Sequence, residues 1–254
     1  MPFKILPILN SLQWTNRFAH SQRRAPISTE NAKIIAVAAM DNRLLTSPIT
    51  ALIAQVVNAE SKLPVVTVDA DGENQPLRIH LQASDNADLL ELINYKHDIL
   101  DQDIITKCVD QSGDIPMLSC KQETPCTLTP HMLGRAVRRV QHRWPTIILN
   151  LPHTCASNTI AAGVNMADHV LLLTDRAHKS HQWLYQPGHQ LSLLAADDRV
   201  TVLTVGGSAA TEVSPDTIHL PRTGQQLDSH AIFVPTDTES LTVFYEILRR
   251  IYSD

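Results

Sequence analysis

The side chains suited to chemistry fall at the ends of short apolar runs. Asp41, Asn42, Arg43, Thr46 and Ser47 lie between a β-branched run and a stretch with apolar residues at helical spacing. Asp69 and Asp71 close a second apolar run, and Asn150 closes a third. In nucleotide-binding folds a phosphate sits in a loop of the first kind, on the N-terminus of the helix that follows. Such a loop needs glycines so that amide N–H groups can approach the oxygens. It also needs a lysine for the terminal phosphates and a Ser or Thr for magnesium, as in G-x-x-x-x-G-K-[ST]. This chain has no glycine before Gly72. Ser47 supplies a hydroxyl, but the position before it is Thr46 rather than lysine. The aspartates at 69 and 71, followed by Gly72, also suit a tight turn without any ligand.

These residues are positioned by an alternation of strand and helix patterns. Residues 33–54 read as strand, loop and helix, with Ser47 as the cap and Pro48 at the first helical position. Residues 63–71, 144–152, 167–174, 199–205 and 230–237 read as further buried strands, and 115–119 as a short one. Helical patterns cover 88–95, 101–110, 129–143, 156–166, 178–194 and 239–252. This order predicts an α/β fold, a doubly wound and mostly parallel sheet flanked by helices. It occupies residues 31–254, after an extension over residues 1–30.

The ordered series of strand ends resembles the MinD/ParA-like P-loop ATPases. Residues 33–54 look like the first strand, Walker A loop and first helix of that family, usually K-G-G-x-G-K-T-T. Laid on that pattern, Asp41 stands at the signature lysine. Asn42, Arg43 and Leu45 replace glycines, Thr46 replaces the phosphate-binding lysine, and Ser47 keeps the magnesium-position hydroxyl. The run Val68-Asp69-Ala70-Asp71 is similar to the family's V-D-x-D, whose first aspartate helps organise magnesium and water. Asn150 falls at the Walker B aspartate, and its neutral carbonyl is a weaker ligand for a hard cation. Residues 167–174 resemble the family's A-D-x-v-v-v-v-t, and 230–237 its last strand with the v-P-x-D turn. Val205-Gly206-Gly207 stands where a base-reading asparagine is usual. The resemblance implies an ATPase fold whose departures all fall on the chemistry. Loss of a lysine removes a charge clamp on the transferring phosphoryl group. The expectation is a pseudo-ATPase without cofactor, catalytic residues or bound metal, acting through protein contacts. The alternative is a divergent ATPase using ATP and magnesium through Ser47, Asp69 and Asp71, in positioning or partitioning. Within the family the nearest look is to MinD-like proteins of actinobacterial type VII secretion loci.

Composition narrows the setting. The chain has 254 residues, 43% hydrophobic and 19% charged, which suits a soluble globular domain with a full core. A formal net charge of -5 gives no reason to expect nucleic acid as a partner. The four cysteines show no C-x-x-C spacing, which fits a reducing cytoplasm. His178-x-x-His181, with His153, Cys155 and His189, is read as chance spacing in a chain with 12 histidines. Two surfaces are candidates for docking a protein partner, such as an active homologue or a component of a membrane-bound machine. One is the basic face of 129–143, carrying Arg135, Arg138, Arg139 and Arg143. The other is residues 2–24, apolar and basic, suited to a partner or to peripheral membrane contact. A homodimer, which nucleotide helps hold together in that family, is here either constitutive through apolar surface or absent. The expected setting is the cytoplasmic side of a secretion, pilus or division machine.

Overall fold

Short runs rich in Val, Ile and Leu leave little choice but to pair, because each must bury both faces. The computed structural model describes residues 32–40, 45–61, 63–97, 100–174, 184, 190–205, 217–220, 232, 234 and 236–252. The chain runs β1 (Lys33–Ala39), α1 (Thr46–Ser61), β2 (Val65–Asp69), α2 (Pro76–His80), α3 (Leu89–Asn94), α4 (Gln102–Cys108) and β3 (Met117–Leu118). It continues with α5 (Pro130–Val140), β4 (Thr146–Leu151), α6 (Ser157–Met166), β5 (His169–Thr174) and α7 (Gln190–Ala196). β6 (Val200–Val205), β7 (Thr217–Leu220) and α8 (Thr238–Tyr252) complete it. The strands form one 7-stranded sheet in the order β3-β2-β4-β1-β5-β6-β7, with every pairing parallel. This is the doubly wound α/β class expected from the alternation.

Period-two alternation splits the core. Ile34, Ala36 and Ala38 of β1 face α3, α4, α5 and α6, meeting Leu89, Leu92, Ile105, Leu133, Val137 and Val164. Ile35 and Val37 face the opposite way, into a layer built from α1 and α8 with Ile49, Leu52, Ile53, Phe244, Ile247 and Leu248. Helix starts follow capping chemistry. Asp88 accepts from the Glu91 N–H at 2.8 Å, and Asp101 from the Asp103 N–H at 3.1 Å. The Thr129 hydroxyl accepts from the Met132 N–H at 3.3 Å, with Pro130 at the first helical position. Asp168 closes the β1–β5 junction, its carboxylate accepting from the Ile34 N–H at 2.7 Å while its own N–H donates to the Ile34 carbonyl at 2.8 Å.

The local structure differs from the expected pattern at several places. Helix α1 starts at Thr46, so Ser47 lies within the first turn instead of capping it. One edge strand of the described sheet is β7, which the periodicity did not mark because four residues are too few to establish alternation. Of residues 230–237, the described Ile232, Val234, Thr236 and Asp237 lie outside any strand; Pro235 lacks the N–H a ladder needs. Helix α2 arises between the Asp71 turn and β3, and was not foreseen. The segment 178–194 is helical over Gln190–Ala196, while 178–183 and 185–189 lie outside the described residues.

Gly163 of α6 sets how closely that helix approaches β4. A Cβ at this position would lie 2.6 and 2.8 Å from the Leu151 methyls, closer than packed carbons tolerate. Gly163→Ala is therefore expected to lower stability by about 1–3 kcal/mol in urea unfolding. Leu151→Val in that background should recover part of the loss; an additive further loss would contradict the contact.

Candidate functional site

The sheet register determines which strand-end residues meet. Asn150 of β4 pairs with Val37 of β1 on one side and Asp69 of β2 on the other. All three share a parity with Ile148, which faces the α1 layer. Asp69 and Asn150 therefore project beneath the first turn of α1, at the carboxyl ends of adjacent strands. Open α/β sheets place their ligand sites at such ends.

Asn150 is fully buried and every hydrogen-bonding position of its amide is used. Its Oδ1 accepts from the Thr46 hydroxyl at 2.8 Å and the Thr50 hydroxyl at 3.1 Å. Its Nδ2 donates to Ser47 Oγ at 2.9 Å and to Asp69 Oδ1 at 2.9 Å. An amide offers two donors and two acceptor sites, so this set is complete. The carboxylate partner fixes which amide atom is the nitrogen. Thr46 and Thr50, four residues apart, present both hydroxyls on one face of α1.

Asp69 is fully buried; its Oδ1 also accepts from the Asp71 N–H at 3.1 Å, and its Oδ2 makes no hydrogen bond of good geometry, the Leu77 N–H acting on the carboxyl only weakly. Burial pushes its carboxyl up to about 7, against the lowering effect of the Asn150 and Asp71 hydrogen bonds. Asp71 closes a turn, Oδ1 accepting from the Glu73 and Asn74 N–H groups at 3.1 and 2.9 Å. Its Oδ2 accepts from the Thr154 hydroxyl at 2.6 Å. Burial, then Asp69, Asp71 and Glu73, push up the thiol of Cys155. No lysine or arginine among the described residues pairs with Asp69 or Asp71.

The structure thus gathers Thr46, Ser47, Asp69 and Asn150 around one amide, with Asp71 an adjoining turn. Asp41, Asn42 and Arg43 lie outside the described residues, as do residues 2–24 and His178, His181 and His189. Thr50 and Thr154 were missed; the Thr46-x-x-x-Thr50 spacing was the available signal for the first. Among the described residues no group of His, Cys, Asp and Glu is arranged to hold a metal ion.

The arginines of α5 and the turn after it do not form one exposed face. Arg139 is buried, 1% exposed, with Nη2 donating to the carbonyls of Tyr95 and His97. Arg135, half-buried, donates to the same Tyr95 carbonyl at 2.9 Å. Arg143 lies over the Trp144 ring at 5.4 Å, and Arg138 is exposed. The correction concerns Arg139: a guanidinium satisfies backbone carbonyls inside the fold as readily as it faces water.

Linkage gives Asp69 a definite sign. Its folded pKa, about 7, lies above the ordinary 3.8. Between those values the folded state holds a proton that the unfolded chain has released, so its contribution to stability is lost as pH rises through 7. Asp69→Asn removes that loss, and the stability difference, variant minus parent, should grow by about 4 kcal/mol from pH 4 to pH 8 in urea unfolding. A pH-independent difference would contradict the assignment. His169 titrates in the opposite sense, held down to about 4 by burial, and cancels in the comparison. Asn150→Ala strands three hydroxyls and a carboxylate together, and a loss of about 3 kcal/mol or more is expected at either pH.

No family model and no curated protein matches the chain. Among solved structures it is similar to MinD in the MinC:MinD cell division protein complex of Aquifex aeolicus, with 16% identity, 88% of this chain and 97% of that chain covered, and a TM-score of 0.61. It is similar to the septum site-determining protein MinD complexed with Mg-ADP from Pyrococcus horikoshii OT3, at 11% identity, 87% and 96% covered, and 0.61. A ParA family ATPase from Chlorobium tepidum TLS gives 14% identity, 86% and 91% covered, and 0.54. The structural neighbours of this chain are the MinD and ParA P-loop ATPases, and it has their fold.

Proposed function

We propose that this protein is a catalytically inactive MinD/ParA-like pseudo-ATPase that acts as a scaffold or regulator through protein contacts. The observation that carries the reading is the complete hydrogen-bond set of Asn150. At the position where the resemblance implies a magnesium-organising carboxylate, a neutral amide ties Thr46, Ser47, Thr50 and Asp69 together. Magnesium holds oxygen ligands in near-ideal octahedral geometry. To reach Ser47 and Asp69 it would have to break two of those bonds and ionise a carboxyl raised to about 7. The hydroxyl at the lysine position is likewise engaged, because Thr46 donates to Asn150. These residues do not fit a magnesium–triphosphate.

The partner surface follows from the corrected arginines. Arg138, exposed, with Arg143 over Trp144, forms the basic patch offered to an acidic partner. Residues 2–24 are the second docking segment, for a protein or a membrane surface. One neighbour in fold was solved as a complex with MinC, which supports a protein partner for this architecture. No helix among the described residues is long and apolar enough to cross a membrane. The setting proposed is the cytoplasmic side of a secretion, pilus or division machine, the type VII secretion loci included. A second reading, a divergent ATPase, is favoured by one observation: Asp69 Oδ2 is buried without a hydrogen bond of good geometry, as an atom awaiting a ligand would be.

Calorimetric titration of the full chain with magnesium and ATP separates the two. The scaffold reading expects no binding up to about 1 mM nucleotide and no phosphate release. Saturable binding abolished by Asp69→Asn would replace it with the divergent enzyme. Co-purification then tests the surface, comparing the full chain with Arg138→Glu and with a chain lacking residues 1–28. Loss of a partner in one variant is expected; unchanged capture in both would remove these surfaces from consideration.

A further inference from the structure

Two of the four cysteines are brought together by the fold. Cys120 lies just beyond β3, and Cys126 lies later in the same loop. Their Sγ atoms stand 3.1 Å apart. A disulfide bond is about 2.0 Å long, so closure needs a movement of roughly 1 Å. Cys120 is buried and Cys126 half-buried, so Cys126 is the more accessible residue of the two. Cys108 is buried in α4, and Cys155 follows β4.

The backbone around the pair is held. The Cys120 carbonyl accepts from Arg78 Nη2 at 3.0 Å. That same nitrogen donates to Gln75 Oε1 and Ser119 Oγ, both at 2.7 Å. The Cys126 N–H donates to the Gly72 carbonyl at 3.1 Å, and Gln75 Nε2 to that carbonyl at 3.2 Å. Gly72 is required by this approach: a Cβ there would lie 2.0 Å from the Cys126 carbonyl oxygen and 3.1 Å from Cys120 Sγ. The pair therefore packs directly on the turn that begins at Asp71.

We propose that Cys120 and Cys126 form a thiol–disulfide redox site that closes to an intramolecular disulfide against the Asp69–Gly72 turn. The oxidant is a low-molecular-weight disulfide, for which glutathione disulfide is the probe. The Cys126 thiolate attacks one sulfur of glutathione disulfide, forming a mixed disulfide and releasing one glutathione thiolate. Cys120 then loses its proton and attacks Cys126 Sγ, expelling the second glutathione. Two protein thiols are oxidised and one glutathione disulfide is reduced to two glutathione thiols, so electrons and protons balance. Burial and the neighbouring Cys126 sulfur hold the Cys120 thiol up, which makes the second step the slower one.

The test uses the full chain, reduced and then incubated with excess glutathione disulfide, with free thiols counted after denaturation. The count is expected to fall from four to two, with one cross-linked peptide joining Cys120 to Cys126 and full return on reduction by dithiothreitol. Cys126→Ser, at a half-buried position that tolerates a hydroxyl, is expected to keep all of its remaining thiols free of intramolecular cross-links. Four thiols remaining in the parent chain would overturn the proposal. So would a mixed glutathione adduct that persists at Cys126, or a cross-link that uses Cys108 or Cys155.

Discussion

A buried amide that exhausts its hydrogen bonds on side chains from two other elements constrains everything near it. Asn150 takes two hydroxyls from α1, gives one N–H back to that helix and the other to the end of β2. Each bond contributes about 1 kcal/mol net, but an unmade one strands a desolvated polar group at greater cost. The network is therefore close to all-or-none. It sets the height of α1 above β4 and the lateral position of β2 beside it. The remaining site residues then follow: Asp69 is drawn under the helix, and its backbone turns through Asp71 toward Gly72.

The same logic recurs one layer out. Arg78 is nearly inaccessible and serves the carbonyls of Ser84 and Cys120, the Ser119 hydroxyl, the Gln75 amide and the Asp85 carboxylate at 3.1 Å. Gln75 enters α2 with a left-handed φ of 49°, a conformation uncommon for a residue with a Cβ. Its side chain compensates by bonding across the loop. Arg139 does for α5 what Arg78 does for α2, anchoring the chain after α3 through carbonyls of Tyr95 and His97. Charged side chains thus act here as internal cross-braces, because a fixed fork of donors can satisfy several carbonyls at once.

Electrostatics divides the two ends of the sheet. At the carboxyl ends, carboxyls and thiols gather, no lysine or arginine among the described residues pairs with Asp69 or Asp71, and burial keeps Asp69 protonated below about pH 7. At the amino ends, His169 is buried against the Thr201 hydroxyl at 2.8 Å, and desolvation keeps it uncharged. Both groups favour their neutral forms for one reason, the cost of a charge in a low-dielectric interior.

The amino-acid sequence by itself determined the alternation of strands and helices, the parallel doubly wound class and the polar residues at the strand ends. Those properties are local: a run such as 146–151 is apolar wherever it pairs, and Thr129-Pro130 starts a helix whatever it packs on. Asp69 and Asn150 were legible as strand-end residues for the same reason. What they contact was not, because their partners are separated by 81 to 104 residues and depend on the strand order and register. Only the tertiary structure brought Thr50 to Asn150, Thr154 to Asp71 and Cys120 to Cys126. It also decided that Arg139 turns inward although its neighbour Arg138 stays in water, since one step along a helix rotates a side chain by about 100°. Hydrophobic pattern is written along the chain, whereas polar satisfaction is settled between elements, where only the assembled sheet supplies the donors and acceptors.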